Sequence, residues 1–394
     1  MSSNGRDMRS DPPDRERVVV VGGGIIGCAV ARELAPVFDV VLLERGQIAG
    51  GATALAAGEV TIFSGYPDHP AVGHHAVEFF REYDGTGAFE FTELPSVELV
   101  TTDRLVKARR RAIRHGENDL PIRFLERDTA RDSYPMFDLS SFAGVVEHRT
   151  TGFLDPYTLT VTMQADAEDK GVDVRTGVRV DDIVVEGGGV TGVRTETGRI
   201  EAEYAVAAAG WRTRSLLVDH VEVPLRPYRT QCVVLRPSNP LPEDFPMGWY
   251  PGEHLYFRPE LNGDLLVGGW SFAEDDPDGA SDRADEEFLL HIADLLPTFL
   301  DDFDGTEIVN DWAGIDGATP DTRPIIDVPT DGPDGLIVAT GFHGRGVMTA
   351  PVAASTVRSL LTDDDLPFPV DLFSLDRFGS RSADFEFSSI SAGD

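Results

Sequence analysis

At 394 residues, 41% of them hydrophobic, the chain is long enough to bury a large core and to divide into two lobes. Asp and Glu number 68 against 34 Lys and Arg, a net charge of −34, and Lys107 and Lys170 are the only lysines. Such a surface repels nucleic acids and anionic membranes, and no apolar run reaches the length of a bilayer span.

The acids are spread along the chain, so their mutual repulsion acts on the whole fold. Molar salt shortens the Debye length to about 3 Å and relieves that repulsion. The expected setting is a cytoplasm very rich in salt. Residues 1–16 lack the apolar core of a secretory signal and read as a mobile polar tail. Cys28 and Cys232 make neither a disulfide framework nor a zinc site, and are expected as reduced core thiols.

The first element is a nearly all-valine strand, Arg17 to Val21. It runs into "GGGIIG" (22–27) and the helical "CAVARELA". "DVVLLER" (39–45) is a second buried strand, with Glu44 placed 22 residues after Gly22. This βαβ unit fits a dinucleotide site. Gly22 makes the tight turn, Gly24 admits a pyrophosphate, and Gly27 lets helix and strand pack closely. The helix N-terminus faces the phosphates, and Glu44 accepts from a ribose. The small-residue stretch after Glu44 predicts a helix starting near Ala52 or Thr53, directed at a second phosphate or packed on the sheet.

Residues 74–134 mix amphipathic helices and short strands. "VKARRRAIRHGEND" is the main basic cluster and reads as a solvated helix face. His69, His74 and His75 fit no standard metal-ligand spacing, so no metal site is expected. "DPYTLTVTMQADAEDKG" is a helix with Asp155 as N-cap and Pro156 at its first position. "EGGGVTGV" repeats the glycine pattern at 187–192 but lies between strands, and reads as a hairpin turn without phosphate. The apolar "YAVAAAG" then places Ala209 and Gly210 where backbone lies close to a ligand.

In "LYFRP", Tyr256 and Arg258 share one strand face. Near the end, "ATGFHGRGVMTAP" (339–351) is a second glycine-rich strand-to-helix turn. There is no G-x-S-x-G elbow, which argues against a hydrolase.

Eight stretches, in order over residues 17–378, resemble the FAD-dependent D-amino acid oxidase superfamily, which includes glycine and sarcosine oxidases. They include the two glycine turns, "VVLLERGQIAGGATALAAG", "YAVAAAGWRTRSLL", "YFRPELNGDLLVGG" and "WAGIDGATPDTRPIID". The resemblance implies an α/β fold: an interrupted Rossmann-like FAD lobe and an α+β substrate lobe with an antiparallel sheet. The expected division gives the cofactor lobe 17–75, 150–220 and 311–362. The substrate lobe takes 76–149 and 221–310, and 363–394 form a C-terminal extension.

It further implies non-covalent FAD, since no cysteine follows Cys232. Gly22, Gly24, Ile25, Ile26 and Gly27 would hold it, with Glu44 on the adenosine ribose and Arg45 beside the adenine. Thr53 and Ala54 would meet the pyrophosphate and Val180 the adenine. Gly51, Ala57, Gly58, Ala209, Gly210 and Gly314 would line the cofactor. The closing turn, Gly341, Gly344, Arg345, Gly346 and Val347, would direct N–H groups and a positive helix end at the pyrimidine edge of the flavin.

The resemblance places Tyr256 on the substrate. Arg258 is either a carboxylate clamp or part of a structural ion pair. His343 and Arg345 each either face the flavin or lie at the loop surface. Where relatives carry a substrate-binding arginine after "WAGI", this chain has Asp316. Either Arg229, Arg258, Arg323 or Arg345 takes that role, or the substrate is cationic there. Neither lysine matches the oxygen-activating lysine of sarcosine oxidases, which favours a dehydrogenase over an oxidase.

The expected reaction is oxidation of a C–N bond of an amino acid or N-methylated amine, with electrons passed to an unidentified acceptor. The alternatives are oxidation of a 2-hydroxy acid C–O bond and a flavoprotein scaffold without turnover.

Overall fold

The computed structural model describes residues 15–392 except 119, 302 and 304. Most of the expected N-terminal tail, 1–14, lies outside them. Strand β1 (Arg17–Val21) is the centre of a six-stranded sheet. It pairs in parallel with β2 (Asp39–Glu44) on one side and Tyr204–Ala207 on the other. Asp173–Thr176 continues the sheet beyond β2. Leu336–Thr340 continues it beyond Tyr204–Ala207, and Ile325–Asp327 closes that edge antiparallel.

The valine run explains why β1 is central. Val18 and Val20 join a core beneath helix α1 (Ile25–Leu34), while Val19 and Val21 join the core on the opposite face. A parallel strand covered on both sides must be apolar at every position. Helix α1 packs beside Pro156–Asp169 and the closing helix Gly346–Thr362. Asp155 accepts the Thr158 N–H at 2.6 Å and caps Pro156–Asp169 as the sequence predicts.

The other face carries a three-stranded meander, Val180–Glu186, Gly189–Thr195 and Gly198–Glu201. Gly187 and Gly188 form its first turn with φ of 63° and 94°. Two positive φ values suit the twist of a two-residue hairpin, so the second G-x-G-x-x-G match is a turn between strands.

An eight-stranded sheet builds the other lobe. Its order is Glu307–Ala318, Arg226–Arg236, Leu265–Ala273, Leu255–Pro259, Met247–Tyr250, Ser96–Val100, Gly144–His148 and Ile122–Glu126. Every pairing is antiparallel except Met247–Tyr250 with Ser96–Val100. Residues 311–318, expected in the cofactor lobe, instead finish the edge strand of this sheet. The strand pairs with its neighbour without a break from Arg236↔Glu307 to Arg226↔Ala318, apart from one bulge. It touches the cofactor lobe where Gly314 and Gly317 let Leu55 and Trp211 close in. The short strands Glu59–Val60, Phe91–Glu93 and Gly152–Leu154 form a small sheet. No helix among the described residues is long and apolar enough to cross a membrane.

Candidate cofactor and substrate cavity

A cavity of about 940 Å³ runs between the two sheets, and both glycine turns open onto it. At the first turn the glycines are sterically required. A Cβ on Gly22, whose φ is 115°, would lie 2.4 Å from the Ala208 carbonyl oxygen. One on Gly27 would lie 1.8 Å from the Gly22 oxygen, so α1 could not sit this close to β1. Thr53 Oγ accepts the Ile25 N–H at 3.1 Å and ties the next segment to the start of α1. That segment is a single 3₁₀ turn, Ala52–Leu55, rather than the longer helix the sequence suggests. Glu44 ends β2 with Oε2 on the Gly23 N–H and Oε1 on the Gly46 N–H, both 2.7 Å.

The expected positions divide cleanly. Gly22, Gly24, Ile25, Ile26, Glu44, Arg45, Gly51, Thr53, Ala57, Gly58, Val180, Ala209 and Gly210 line the cavity. So do Tyr256, Gly314, Gly344, Arg345, Gly346 and Val347. Gly27, Ala54, Arg258, Gly341 and His343 do not. Gly27 and Gly341 serve packing: a Cβ on Gly341, at φ 72°, would meet Thr319 Cγ2 at 2.4 Å.

Two candidate catalytic residues lie off the cavity lining. Arg258 is buried with its Nε on the Ala57 carbonyl at 2.5 Å and Nη1 on the Pro259 carbonyl at 3.0 Å. It also pairs with Glu260 at 3.2 Å and stacks over Phe153. Its partner Ala57 lines the cavity, and Arg258 itself does not. His343 is fully buried at φ 52°, neither at the cavity nor at the surface. Its Nδ1 accepts the Thr319 N–H at 3.3 Å and its Nε2–H donates to the Ser388 carbonyl at 2.8 Å. Burial, helped by the Arg345 charge, pushes it down to about 4, so it stays neutral.

Arg345 caps the closing helix and faces the cavity. Its Nη1 donates to the Thr322 carbonyl at 3.0 Å, and it makes no ion pair among the described residues. Burial lowers its pKa, partly offset by Tyr66 and Tyr228. Arg229, another candidate clamp, is spent on Asp285 and the carbonyls of Ser281 and Arg283. Asp316 is committed as well. It accepts the Gly344 and Gly317 N–H groups at 2.7 Å each, and the Tyr228 hydroxyl at 3.4 Å. Burial raises its carboxyl, and those three donors restrain the rise.

Two parts of the wall escape the sequence reading. Arg111, inside the basic cluster, points inward to the buried Glu98 and lies over Trp249. Ala108, Arg111, Ala112 and His115 form one inward stripe of Leu105–Glu117, so the i, i+3, i+4, i+7 spacing held the signal. The other is the C-terminal strap, where residues 388–391 line the cavity. His343 holds the Ser388 carbonyl, and the Trp249 indole N–H holds that of Ser391 at 2.8 Å. Phe387 stacks on Tyr228 and His343.

No cluster of three or more His, Cys, Asp or Glu among the described residues could hold a metal ion. Cys28 and Cys232 are buried free thiols, each pushed up to about 12 by burial. The glycine cradle, two helix N-termini at the cavity wall and a volume of about 940 Å³ fit a dinucleotide cofactor.

Comparison with known proteins agrees with this geometry. Residues 17–360 match the family model described as FAD dependent oxidoreductase. The chain is 26% identical over 358 residues to a glycine oxidase of Pseudomonas putida, covering 88% of this chain and 94% of that one. It is 25% identical over 403 residues to the mitochondrial dimethylglycine dehydrogenase of Mus musculus, covering 95% of this chain but only 46% of the relative. Among solved structures, an L-proline dehydrogenase from P. horikoshii shares the fold with a TM-score of 0.84 at 24% identity, covering 93% and 98% of the two chains.

Proposed function

The chain belongs to the family of FAD-dependent oxidoreductases, and from that premise we propose that it oxidises a C–N bond of an amino acid or N-methylated amine. The observation that carries this reading is the cavity itself. It joins a dinucleotide cradle at Gly22–Gly27 to a chamber walled by Tyr228, Tyr256, Arg345 and the 388–391 strap. Its relatives act, by name, on glycine and dimethylglycine.

In this reading the N-terminus of α1 and Thr53 would hold the FAD pyrophosphate, Glu44 would accept from the ribose, and Ala209 and Gly210 would allow close approach along the cofactor. The cofactor would supply a hydride-accepting ring for the carbon next to nitrogen. The N-terminus of the closing helix and Arg345 would supply positive potential at the ring's pyrimidine edge. The tyrosines and the strap orient the substrate and keep water out. Asp316 holds the Gly344 turn in place and leaves Arg345 as the cation available at that end. Both lysines are exposed, away from the cavity, which supports a dehydrogenase that hands electrons to another acceptor. The acidic surface supports a salt-rich cytoplasm as its setting.

The test is anaerobic mixing of the FAD-bound protein, in concentrated salt, with glycine, L-proline, N,N-dimethylglycine, D-amino acids and 2-hydroxy acids. Bleaching of the flavin absorbance by amines is expected. Bleaching by hydroxy acids alone moves the reaction to a C–O bond. No bleaching by any of them rejects both.

A further inference from the structure

Five carboxyl groups line the cavity: Glu44, Glu59, Glu98, Asp181 and Asp316. Four are engaged. Glu44 holds two backbone N–H groups, Glu98 pairs with Arg111, Asp181 pairs with Arg179, and Asp316 holds the Gly344 and Gly317 N–H groups. Glu59 is the exception. It makes no ion pair among the described residues, and its Oε1 is buried without a hydrogen-bond partner. A buried carboxyl oxygen left without a partner is costly and calls for an explanation.

Its neighbours locate it at the substrate end. Glu59 opens a two-residue strand paired with Phe153, directly after Ala57 and Gly58. The groups acting on it or feeling its charge are Arg258, Tyr256 and Cys232. Arg258 is already paired with Glu260 and bound to the Ala57 carbonyl. The Tyr256 hydroxyl is 3.6 Å from Cys232 Sγ. Thus none of the three neutralises the carboxyl by direct contact.

We propose that Glu59 binds the substrate's ammonium group and takes its proton. This rests on the amine reading above. The N–H bond breaks, an O–H bond forms on Glu59, and the electron pair stays on nitrogen. The neutral amine so formed can release the neighbouring hydride; the ammonium, lacking a free pair, cannot. Burial, opposed by the Arg258 charge, pushes the Glu59 carboxyl up to about 8. A base poised near the working pH accepts and returns protons readily.

The experiment compares wild type, Glu59→Gln and Glu59→Asp as FAD-bound proteins in molar salt. Glycine, L-proline and N,N-dimethylglycine serve as reducing probes. Wild-type kcat/KM should level off above about pH 8, where Glu59 is ionised. E59Q should be at least ~10-fold slower at pH 7 and keep rising towards the amine's own ionisation. Glu59→Asp should restore part of the wild-type profile. A second readout is binding of glycine betaine, a permanent cation, by calorimetry in buffers of different ionisation enthalpy. Wild type should release about one proton per betaine at pH 7, and E59Q none.

Identical pH profiles, or betaine binding without proton release, or no betaine binding by wild type, overturn the proposal. Failure of the amine reading is distinct: there, no amine bleaches the wild-type flavin at any pH, and the proposal falls with it.

Discussion

Asp316 Oδ2 accepts the Gly344 N–H at 2.7 Å and so joins the edge strand of the large sheet to the turn that begins the closing helix. A second oxygen holds the Gly317 N–H. Asp316→Ala removes both acceptors: the buried Gly317 N–H left unpaired costs about 1–3 kcal/mol, and the exposed Gly344 N–H loses its tie to the strand. Thermal unfolding of the FAD-bound protein in molar salt should show a lower midpoint and earlier flavin release. An unchanged midpoint would remove this role from Asp316.

Gly27→Ala and Gly116→Ala form a matched pair. A Cβ at Gly27 meets the Gly22 oxygen at 1.8 Å, whereas one at Gly116, away from the cavity, meets nothing within 4 Å. Forcing helix from strand costs ~1–3 kcal/mol and displaces the cradle. FAD affinity, measured by fluorescence on refilling flavin-stripped protein, should fall sharply for Gly27→Ala and little for Gly116→Ala.

Arg345→Gln keeps a hydrogen-bonding side chain near Thr322 but removes the charge. Anaerobic flavin reduction by the best amine should slow by roughly 10²-fold, the typical effect of losing one preorganised stabilising group. The flavin reduction potential should also drop. If rate and potential are both unchanged, the positive charge serves no such purpose.

Burial pushes His148 down to about 3 and His343 to about 4, so both are neutral in the fold. An unfolded histidine titrates near 6.5. Below that pH the unfolded chain takes up protons that the native state refuses. Stability is therefore full above about pH 6.5 and falls as pH drops toward 4, by about 1.4 kcal/mol per pH unit for each histidine. Urea midpoints between pH 7 and 4.5 at fixed salt will show the slope. His148→Leu should flatten it.

A charge of −34 makes salt a structural variable. Unfolding midpoints should climb as sodium chloride rises from ~0.1 M, where the Debye length is about 10 Å, to molar levels, where it is near 3 Å. Full stability and activity in dilute buffer would refute the salt-rich setting.

Why some features were legible in sequence and others were not follows from the interactions that carry them. The first glycine turn and β1 are local patterns: valines on both faces, then glycines at fixed spacing. Asp155 and the Gly187–Gly188 turn are likewise local. Arg258 stays open between clamp and structural ion pair in sequence because alternation gives a strand face but not what lies across from it, here the Ala57 carbonyl. His343 misled for a similar reason. Its burial depends on Ser388 and Phe387, some 45 residues later, which no local pattern reports. Arg111 was readable from helical spacing but was outweighed by the charge of its neighbours. The strand Glu307–Ala318 crosses the expected lobe boundary at 311 because its extent follows from pairing with Arg226–Arg236.

The segment at 388–391 is pinned mainly by main-chain oxygens: Ser388 by His343, Ser391 by Trp249 and Ala392 by Arg104. Main-chain anchorage is indifferent to side-chain identity. The vestibule can therefore be re-tailored, residue by residue, while the sheets and the nucleotide cradle keep their sequence, which makes this ribbon an economical place for selectivity to drift.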